Sequence, residues 1–522
     1  VLGHPCLSYV ARRTNLIELL LDARRFPERE YIVHGDRRRS FAEHESAVHA
    51  VAAVLRARGI GPGQRVLLLG RNSPEWVAMF WAVIESGAIV VLGNAWWSEA
   101  ELAHVLDVTS PSLVAADSRF AQALPARQDR LILAELANAA ESWRGTAVAP
   151  VVDEDAPAVI LYTSGTTGLP KGAVLSHRGM LATLQSLLER TRRLPVDGAA
   201  PPDASAALLS LPLFHIGGLQ QIITPMVTGG TLVFTEGRFD PEIVVRLIEE
   251  ENVRVWSVVP TMAARVIEFL AENGLAPVHQ LRTLGLGGSP VVGQLRQQIR
   301  EWFPNVSRGF AVTYGLSEAG GVVSTGAGAA LAEQPQLVGA PLRVATVRIE
   351  RPTENGEGEV LVRSPSVMLG YWTKEACDDP SRLDPGPIDS QRWLHSGDIG
   401  RLDSEGQLYI TDRSKDIVIR GGENIACPHI ESRLLEHPAV REAAVFGLPH
   451  PTLGEELAAV VVVNEDDRVT ADDLAAHAAG ALAYFEVPSQ WKIRTEPLPQ
   501  NAIGKVLKRA VRADWLVELE AL

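Results

Sequence analysis

Residues 158–176 read AVILYTSGTTGLPKGAVLS, two short apolar runs on either side of a loop crowded with glycines, hydroxyls and a lysine. Ala158–Leu161 and Ala173–Leu175 have the length and aliphatic make-up of buried strands, and Ser176 stands where a helix running to about Arg193 needs its cap. The loop therefore joins strand to strand. Within it Gly165, Gly168 and Gly172 allow backbone amides to turn inward, while Thr163, Ser164, Thr166, Thr167 and Lys171 supply donors and a positive charge. Such a loop suits the oxygens of a polyphosphate. It is not a Walker loop: Lys171 is followed by Gly172 rather than Ser or Thr, the spacing is G-x-x-G-x-x-K, and no helix follows directly. The plain alternative is a Gly/Thr surface turn, which leaves the density of donors unexplained.

Outward from this stretch the pattern predicts strands alternating with helices. Val66–Leu69 and Ile89–Leu92 read as short buried strands, Pro74–Glu85 as a helix, and Ser98 with Glu101 as the capping box of another. The same alternation returns in strand Ala207–Leu211, a helix after Ile216, strand Thr231–Phe234, helix Pro241–Glu250 and strand Arg254–Val258. This is the signature of helices layered on mostly parallel sheets, an α/β fold. After Gly339 short strands and turns (VATVRIE, GEGEVLVR, GQLYITDR) predict a smaller β-rich lobe. Past Arg413 the texture becomes mixed strand and helix, including a helix opened by Thr470. The charged run DRSKD, residues 412–416, separates strand Gln407–Thr411 from strand Ile417–Ile419 and is read as a domain boundary.

At 522 residues the chain exceeds what one hydrophobic core usually organises, about 250–300 residues, so two or more domains are expected. Its 49 basic and 63 acidic residues give a net charge of −14, which opposes generic binding to nucleic acid or anionic lipid, so any phosphate site has to be built locally. Cys6, Cys377 and Cys427 are widely spaced and odd in number, pointing to neither a disulfide framework nor a zinc site. With no basic-then-apolar start and no run of 18 apolar residues, neither a signal peptide nor a spanning helix is expected, and a cytoplasmic location fits.

Five further constellations carry chemistry. LPLFHIGG (211–218) puts His215, with Ile216 and Gly217, just past an apolar strand, where open α/β sheets hold ligands. A lone histidine there is more often a packing or capping residue than an acid–base catalyst. GLGGSP (285–290) offers a backbone able to approach a flat ring, because Gly287 and Gly288 carry no side chains. TYGLSE (313–318) combines an aromatic ring at Tyr314, a hydroxyl at Ser317 and a carboxylate at Glu318 able to hold Mg²⁺; a turn around a packed tyrosine fits equally. HSGDIG (395–400) sets Asp398 in a turn where its oxygens could accept both ribose hydroxyls, an ordinary Asp turn being the alternative. NAIGKVLKR (501–509) presents Lys505 after a glycine turn, otherwise a solvated lysine.

Taken in order, YTSGTTGLPKG, LPLFH, GGSP, YGLSE, HSGDIG, DRSKDIVIRGGENI and the final GK resemble the adenylate-forming superfamily of acyl-CoA synthetases, nonribosomal adenylation domains and beetle luciferases, over nearly the whole chain. The resemblance implies a large N-terminal domain, 1–412, with layered α/β sheets and the β-rich lobe, a hinge at 413–415 around Lys415, and a small mobile α+β domain, 416–522. It also implies roles. Tyr314 would stack on adenine beside Gly287, Gly288, Ser289 and Pro290, with Gly315 and Ser317 adjoining. Asp398 and Arg413 would take the ribose, and Glu318 the magnesium. Thr163, Ser164, Gly165, Thr166, Thr167, Gly168 and Lys171 would hold the β- and γ-phosphates. Lys505 would be the catalytic lysine, with His215 and Glu318 at the reacting end, and Gly421 and Gly422 would leave room for pantetheine.

The implied activity is a carboxylate:CoA ligase using ATP, Mg²⁺ and CoA. Gly315 stands where acetate-specific relatives carry a tryptophan, so the acid is expected to be larger than acetate and apolar: medium-chain, alicyclic or aromatic. The pocket would be lined by His215, Ile216, Gly217, Thr313 and Gly315. The chain departs from common relatives at Ala311–Thr313, before Tyr314, where Thr313 narrows or polarises the wall, and at Trp96 and Trp97, read as packing residues. Transfer of the acyl group to an amine, loading of a carrier protein and, in a different class, a non-catalytic acyl or nucleotide sensor are the alternatives. Small-molecule partners, no nucleic acid, no membrane insertion and a monomer or homodimer complete the expectation.

Overall fold

The computed structural model describes residues 1–122, 124–125, 128–136, 150–163, 169–195, 204–289, 291, 293–306, 309–328, 331, 334, 336–413, 417–420, 423–450, 454–465, 467–482, 486–500 and 506–520. Three sheets organise them. The first has six strands in the order Arg130–Ile132, Leu113–Ala116, Arg65–Leu69, Ile89–Gly93, Pro157–Thr163 and Lys171–Ser176. All neighbours are parallel except the last pair, the two strands that flank the phosphate-type loop. The helix after them, His177–Arg190, starts as its sequence demands, with the Ser176 side chain accepting from the Gly179 amide. It ends three residues before Arg193.

Helix Pro74–Glu85 shows how the layers meet. Ser73 caps the Trp76 amide, proline occupies the first turn, and every residue from Pro74 to Glu85 is buried. A helix apolar on all sides has to be covered on all sides. Its two carboxylates are answered by Arg37, 2.8 Å from Glu75, and by His49, 2.7 Å from Glu85.

The second sheet runs through thirteen strands. Its centre is a parallel set, Phe310–Leu316, Thr283–Leu286, Val255–Val258, Ala207–Leu209, Leu232–Phe234 and Glu30–His34. The strands after Gly339 were expected to form a lobe of their own, yet they continue this sheet: Leu337–Pro341 pairs with Gly321–Ala327, and through Leu408–Arg413 leads to Leu394–Leu402. An edge strand offers unpaired backbone groups, and the β-rich segment uses them. At the far edge the hairpin of Glu30–His34 and Arg37–Ser40, joined by the two-residue turn Gly35–Asp36 with Gly35 at φ +57°, closes the sheet.

The third sheet belongs to the C-terminal segment. Val440–His450 and Gly454–Val463 pair antiparallel, Gln490–Arg494 joins in parallel, and Ile417–Arg420 with Glu423–Ala426 completes it. Helices Cys427–Leu434, Ala471–Ala479 and Lys508–Glu520 cover it over separate apolar clusters. An ion pair, Arg441 to Glu268 at 3.1 Å, links this unit to helix Pro260–Glu272. Among the described residues no helix is long and apolar enough to cross a membrane.

Candidate active site

Side chains alternate across a strand, so one face of the parallel set carries Val255, Ser257, Gly285, Gly287, Thr313 and Gly315. All are small or of medium size, and together they floor a cavity of about 380 Å³. Helix Ile216–Thr228 roofs it with Ile216, Gly217, Gln220, Gln221 and Thr224. The five residues expected to line an acyl pocket, His215, Ile216, Gly217, Thr313 and Gly315, do line this cavity. Its walls are mainly apolar, with a few polar groups among them: the Gln221 amide donates to the carbonyls of Ser257 at 3.3 Å and Gly217 at 3.4 Å, beside the Ser257 and Thr224 side chains.

Two glycines serve differently from the sequence reading. A β-carbon on Gly287 would lie 2.3 Å from the Thr313 hydroxyl oxygen, so the space Gly287 vacates is filled by Thr313, which donates to the Leu286 carbonyl at 3.2 Å. A β-carbon on Gly315 would meet the Gly321 carbonyl at 2.1 Å; here glycine permits the close approach of the neighbouring strand. Gly288, at φ +84°, has Val259 beside it, with Cγ1 3.4 Å from where a β-carbon would lie.

His215 is the N-cap residue of the roofing helix. Asn72, unnoticed in the sequence, fixes the segment before it: the Asn72 amide donates to the Leu211 carbonyl at 2.8 Å and its oxygen accepts from the Leu213 amide at 2.9 Å. Burial lowers the His215 pKa to about 4, so the imidazole is neutral. Its Nε2 has no hydrogen-bond partner among the described residues. Phe214 packs on the ring at 4.6 Å, and half-exposed Trp96 meets Phe214 edge-on at 5.3 Å. Trp97 packs against Tyr162 at 5.1 Å. The tryptophan pair thus packs, as expected, but Trp96 does so two rings from the cavity.

At the other end of Gly315–Glu318 the chemistry changes. Ser317 lines the cavity, whereas the next residue, Glu318, accepts at Oε1 from the Thr163 hydroxyl at 3.2 Å and the Tyr371 hydroxyl at 2.9 Å. Lys171 lies with Nζ 5.3 Å from the centroid of the Tyr371 ring. Tyr371 escaped the sequence reading. GYW at residues 370–372 reads as an ordinary packed turn until the chain folds back along Lys171–Ser176, where the Trp372 amide donates to the Gly172 carbonyl at 2.7 Å.

Asp398 lies within strand Leu394–Leu402 and not in a turn, opposite Arg413. The turn-like sequence SGD is absorbed by a local irregularity, with Gly397 at φ +71° and a register shift between Ile399 and Gly400. Asp398 is 3 % exposed and accepts from the Tyr314 hydroxyl at 2.6 Å. Tyr314 and Asp398, distant in sequence, are thereby brought together. Ser289 and Gly288 follow strand Thr283–Leu286. Ser164, Gly165, Thr166, Thr167, Gly168, Pro290, Lys415, Gly421, Gly422 and Lys505 lie outside the described residues.

Comparison with known proteins covers most of the chain. The family model "AMP-binding enzyme" matches residues 21–372, and "AMP-binding enzyme C-terminal domain" matches 429–505. A feruloyl-CoA synthase of Amycolatopsis sp is 33 % identical, with 94 % of this chain and 96 % of that protein covered. A 2-succinylbenzoate–CoA ligase of Bacillus mycoides is 30 % identical, at 93 % and 96 % coverage. Among solved structures, o-succinylbenzoate CoA synthetase from Bacillus subtilis superposes at TM-score 0.81 in its complex with the acyl-adenylate intermediate, 29 % identical and covering 96 % of this chain and 99 % of that one. The same synthetase with ATP and magnesium superposes at TM-score 0.80, 29 % identical, covering 95 % and 98 %.

Proposed function

Since the chain belongs to the AMP-binding enzyme family, the adenylate-forming acid–thiol ligases, we propose that it activates an aromatic carboxylic acid with ATP and passes the acyl group to CoA. One observation carries this reading. The turn Gly315–Glu318 has Ser317 in the wall of an acyl-sized cavity and Glu318 in a cluster of hydroxyls beside Lys171. An acid filling the cavity and a nucleotide with its phosphates at the Glu318 end would meet at that turn.

In the first half-reaction a carboxylate oxygen attacks the α-phosphorus and the bond to pyrophosphate breaks. In the second, the sulfur of CoA attacks the acyl carbonyl carbon, the bond to AMP breaks and the thiol proton departs. Tyr314 would stack on the adenine, its hydroxyl held by Asp398, and Asp398 with Arg413 would take the ribose. Thr163 and Lys171, with the hydroxyls of the adjoining loop, would hold the phosphates. Two anions repel in the first step, and the cation of Lys505 would bridge them. His215, neutral, would offer a hydrogen bond to the acid and no charge.

Glu318 fits Mg²⁺: a carboxylate is the hard oxygen ligand that ion takes alongside substrate phosphates. Bound there, the ion would neutralise charge on the departing pyrophosphate. The acid itself is argued from the cavity. Its volume lies near the lower end of small-molecule sites, about 300–1,000 Å³, and Ser257, Gln221 and Thr224 suit oxygen substituents on a ring. The relatives' feruloyl and succinylbenzoate substrates have that character.

The test is pyrophosphate release from MgATP with fatty, alicyclic, aryl and oxygen-substituted aryl acids, each with and without CoA. Turnover requiring an aryl acid and CoA together is expected. Release indifferent to CoA but raised by an added amine would replace the ligase with an amide-forming enzyme, and silence throughout, despite ATP binding, would make it a sensor.

A further inference from the structure

The segment Met368–Trp372 touches both halves of the phosphate end. The Met368 amide donates to the Glu318 carbonyl at 2.8 Å, fixing the backbone of that turn. The Leu369 amide donates to Val174 at 2.8 Å, Val174 returns a bond to Gly370 at 3.0 Å, and Trp372 donates to Gly172 at 2.7 Å. On its other side Tyr371 exchanges two backbone bonds with Asp384, at 2.7 and 3.0 Å. Tyr371 is therefore held between backbone partners on both flanks, and its side chain reaches the site from a fixed base. Gly386, at φ +57°, lies against the ring so closely that a β-carbon there would be 2.4 Å from Cε2. This packing leaves the ring little room to turn.

From that base the side chain does two things. Its hydroxyl and that of Thr163 converge on the same carboxylate oxygen, Oε1 of Glu318, at 2.9 and 3.2 Å. Its ring lies near the Lys171 ammonium, 5.3 Å from the centroid, within reach of a cation–π attraction. We propose that Tyr371 is a positioning residue for magnesium-bound ATP, clamping Oε1 of Glu318 so that Oε2 is presented to the cation, and holding Lys171 at the exit of the phosphate loop. The proposal rests on the nucleotide site described above. Partners that orient a metal-binding carboxylate without touching the metal set its affinity for the ion.

The experiment uses the full chain and two variants, Tyr371→Phe and Tyr371→Leu, with ATP affinity measured by calorimetry with and without Mg²⁺. Phenylalanine keeps the ring and removes the hydroxyl. It is expected to raise the Mg²⁺ concentration that half-saturates the gain in ATP affinity by roughly 10- to 100-fold, leaving Mg²⁺-free binding unchanged. Leucine removes the ring as well and is expected to weaken Mg²⁺-free binding in addition.

A Tyr371→Phe variant with wild-type Mg²⁺ dependence overturns the clamp. A Tyr371→Leu variant with wild-type Mg²⁺-free affinity overturns the hold on Lys171. Equal loss of both quantities in Tyr371→Phe also overturns the proposal, since that marks a collapsed site. Failure of the nucleotide-site reading is separable: it removes MgATP binding from the wild type, whereas each outcome that overturns this proposal leaves MgATP binding by the wild type intact.

Discussion

His215 shows what burial does to a residue that sequence presents as a catalyst. It caps the helix roofing the cavity, lines that cavity, and is held neutral because desolvation disfavours the imidazolium. Its ring should titrate near pH 4 when followed by NMR, and turnover should show no step near pH 6.5 that vanishes in His215→Asn; titration near 6.5 would restore an acid–base role. Tyr314 and Asp398 were each legible as candidates, but their 2.6 Å contact was not, since 84 positions of chain separate them. Tyr371 and Asn72 were not legible at all. Their signals are ordinary residue types, and their meaning comes from partners that only the fold supplies.

At the scale of elements, helices with explicit punctuation were read almost to the residue. Pro74–Glu85 has a serine cap and a proline in the first turn, and Ser98 and Thr470 close capping boxes with Glu101 and Asp473. The N-terminal hairpin was missed although Gly35–Asp36 is a two-residue turn signal, and the merging of the β-rich segment into the second sheet was missed because edge pairing depends on which backbone groups are left free. Gly285 and Gly287 stand two residues apart in GLGGSP, which the sequence reading assigned to the approach of a flat ring; that they floor a cavity with Ser257 and Gly315 comes from the register of three strands.

Helices Phe41–Ala57 and Pro74–Glu85 meet through His49, which lies between Glu45 at 3.2 Å and Glu85 at 2.7 Å. Burial lowers the His49 pKa, but the two carboxylates outweigh it and raise it to about 9. The folded form therefore binds its proton more tightly than the unfolded chain, whose imidazole has its usual pKa of about 6.5. The resulting stabilisation is complete below pH 6.5 and is lost as pH rises through about 9. The melting temperature should fall between pH 7 and pH 10, and His49→Gln, lower throughout the acid side, should narrow that fall; parallel curves for the two proteins would remove His49 as the cause.

For the molecule as a whole, we propose that the mobile C-terminal unit implied by the family resemblance would serve one half-reaction in each of two placements, bringing Lys505 to the first and Gly421 and Gly422 to the second. Lys505→Ala should cut pyrophosphate release by about 10²-fold or more, while thioester formation from a supplied acyl-adenylate and CoA persists; equal loss of both steps would remove Lys505 from the first alone. Lys415→Pro, which restricts the backbone, should spare adenylate formation and slow transfer to CoA, and normal turnover would show that the pivot lies elsewhere. The Arg441–Glu268 contact is exposed on both sides and, like other surface pairs, is worth about 0–1 kcal/mol. It can bias one placement without locking it.

Strand Leu408–Arg413 ends the second sheet, and strand Ile417–Arg420 begins the third, with only residues 414–416 between them. Four steps of extended backbone span at most about 15 Å. In the proposed two-placement cycle a tether that short would work as an axle. The C-terminal unit would turn about it without drifting away, so the effective concentration of whatever it carries would stay high at every angle. Switching between half-reactions would then be a matter of heading, with no search through solution.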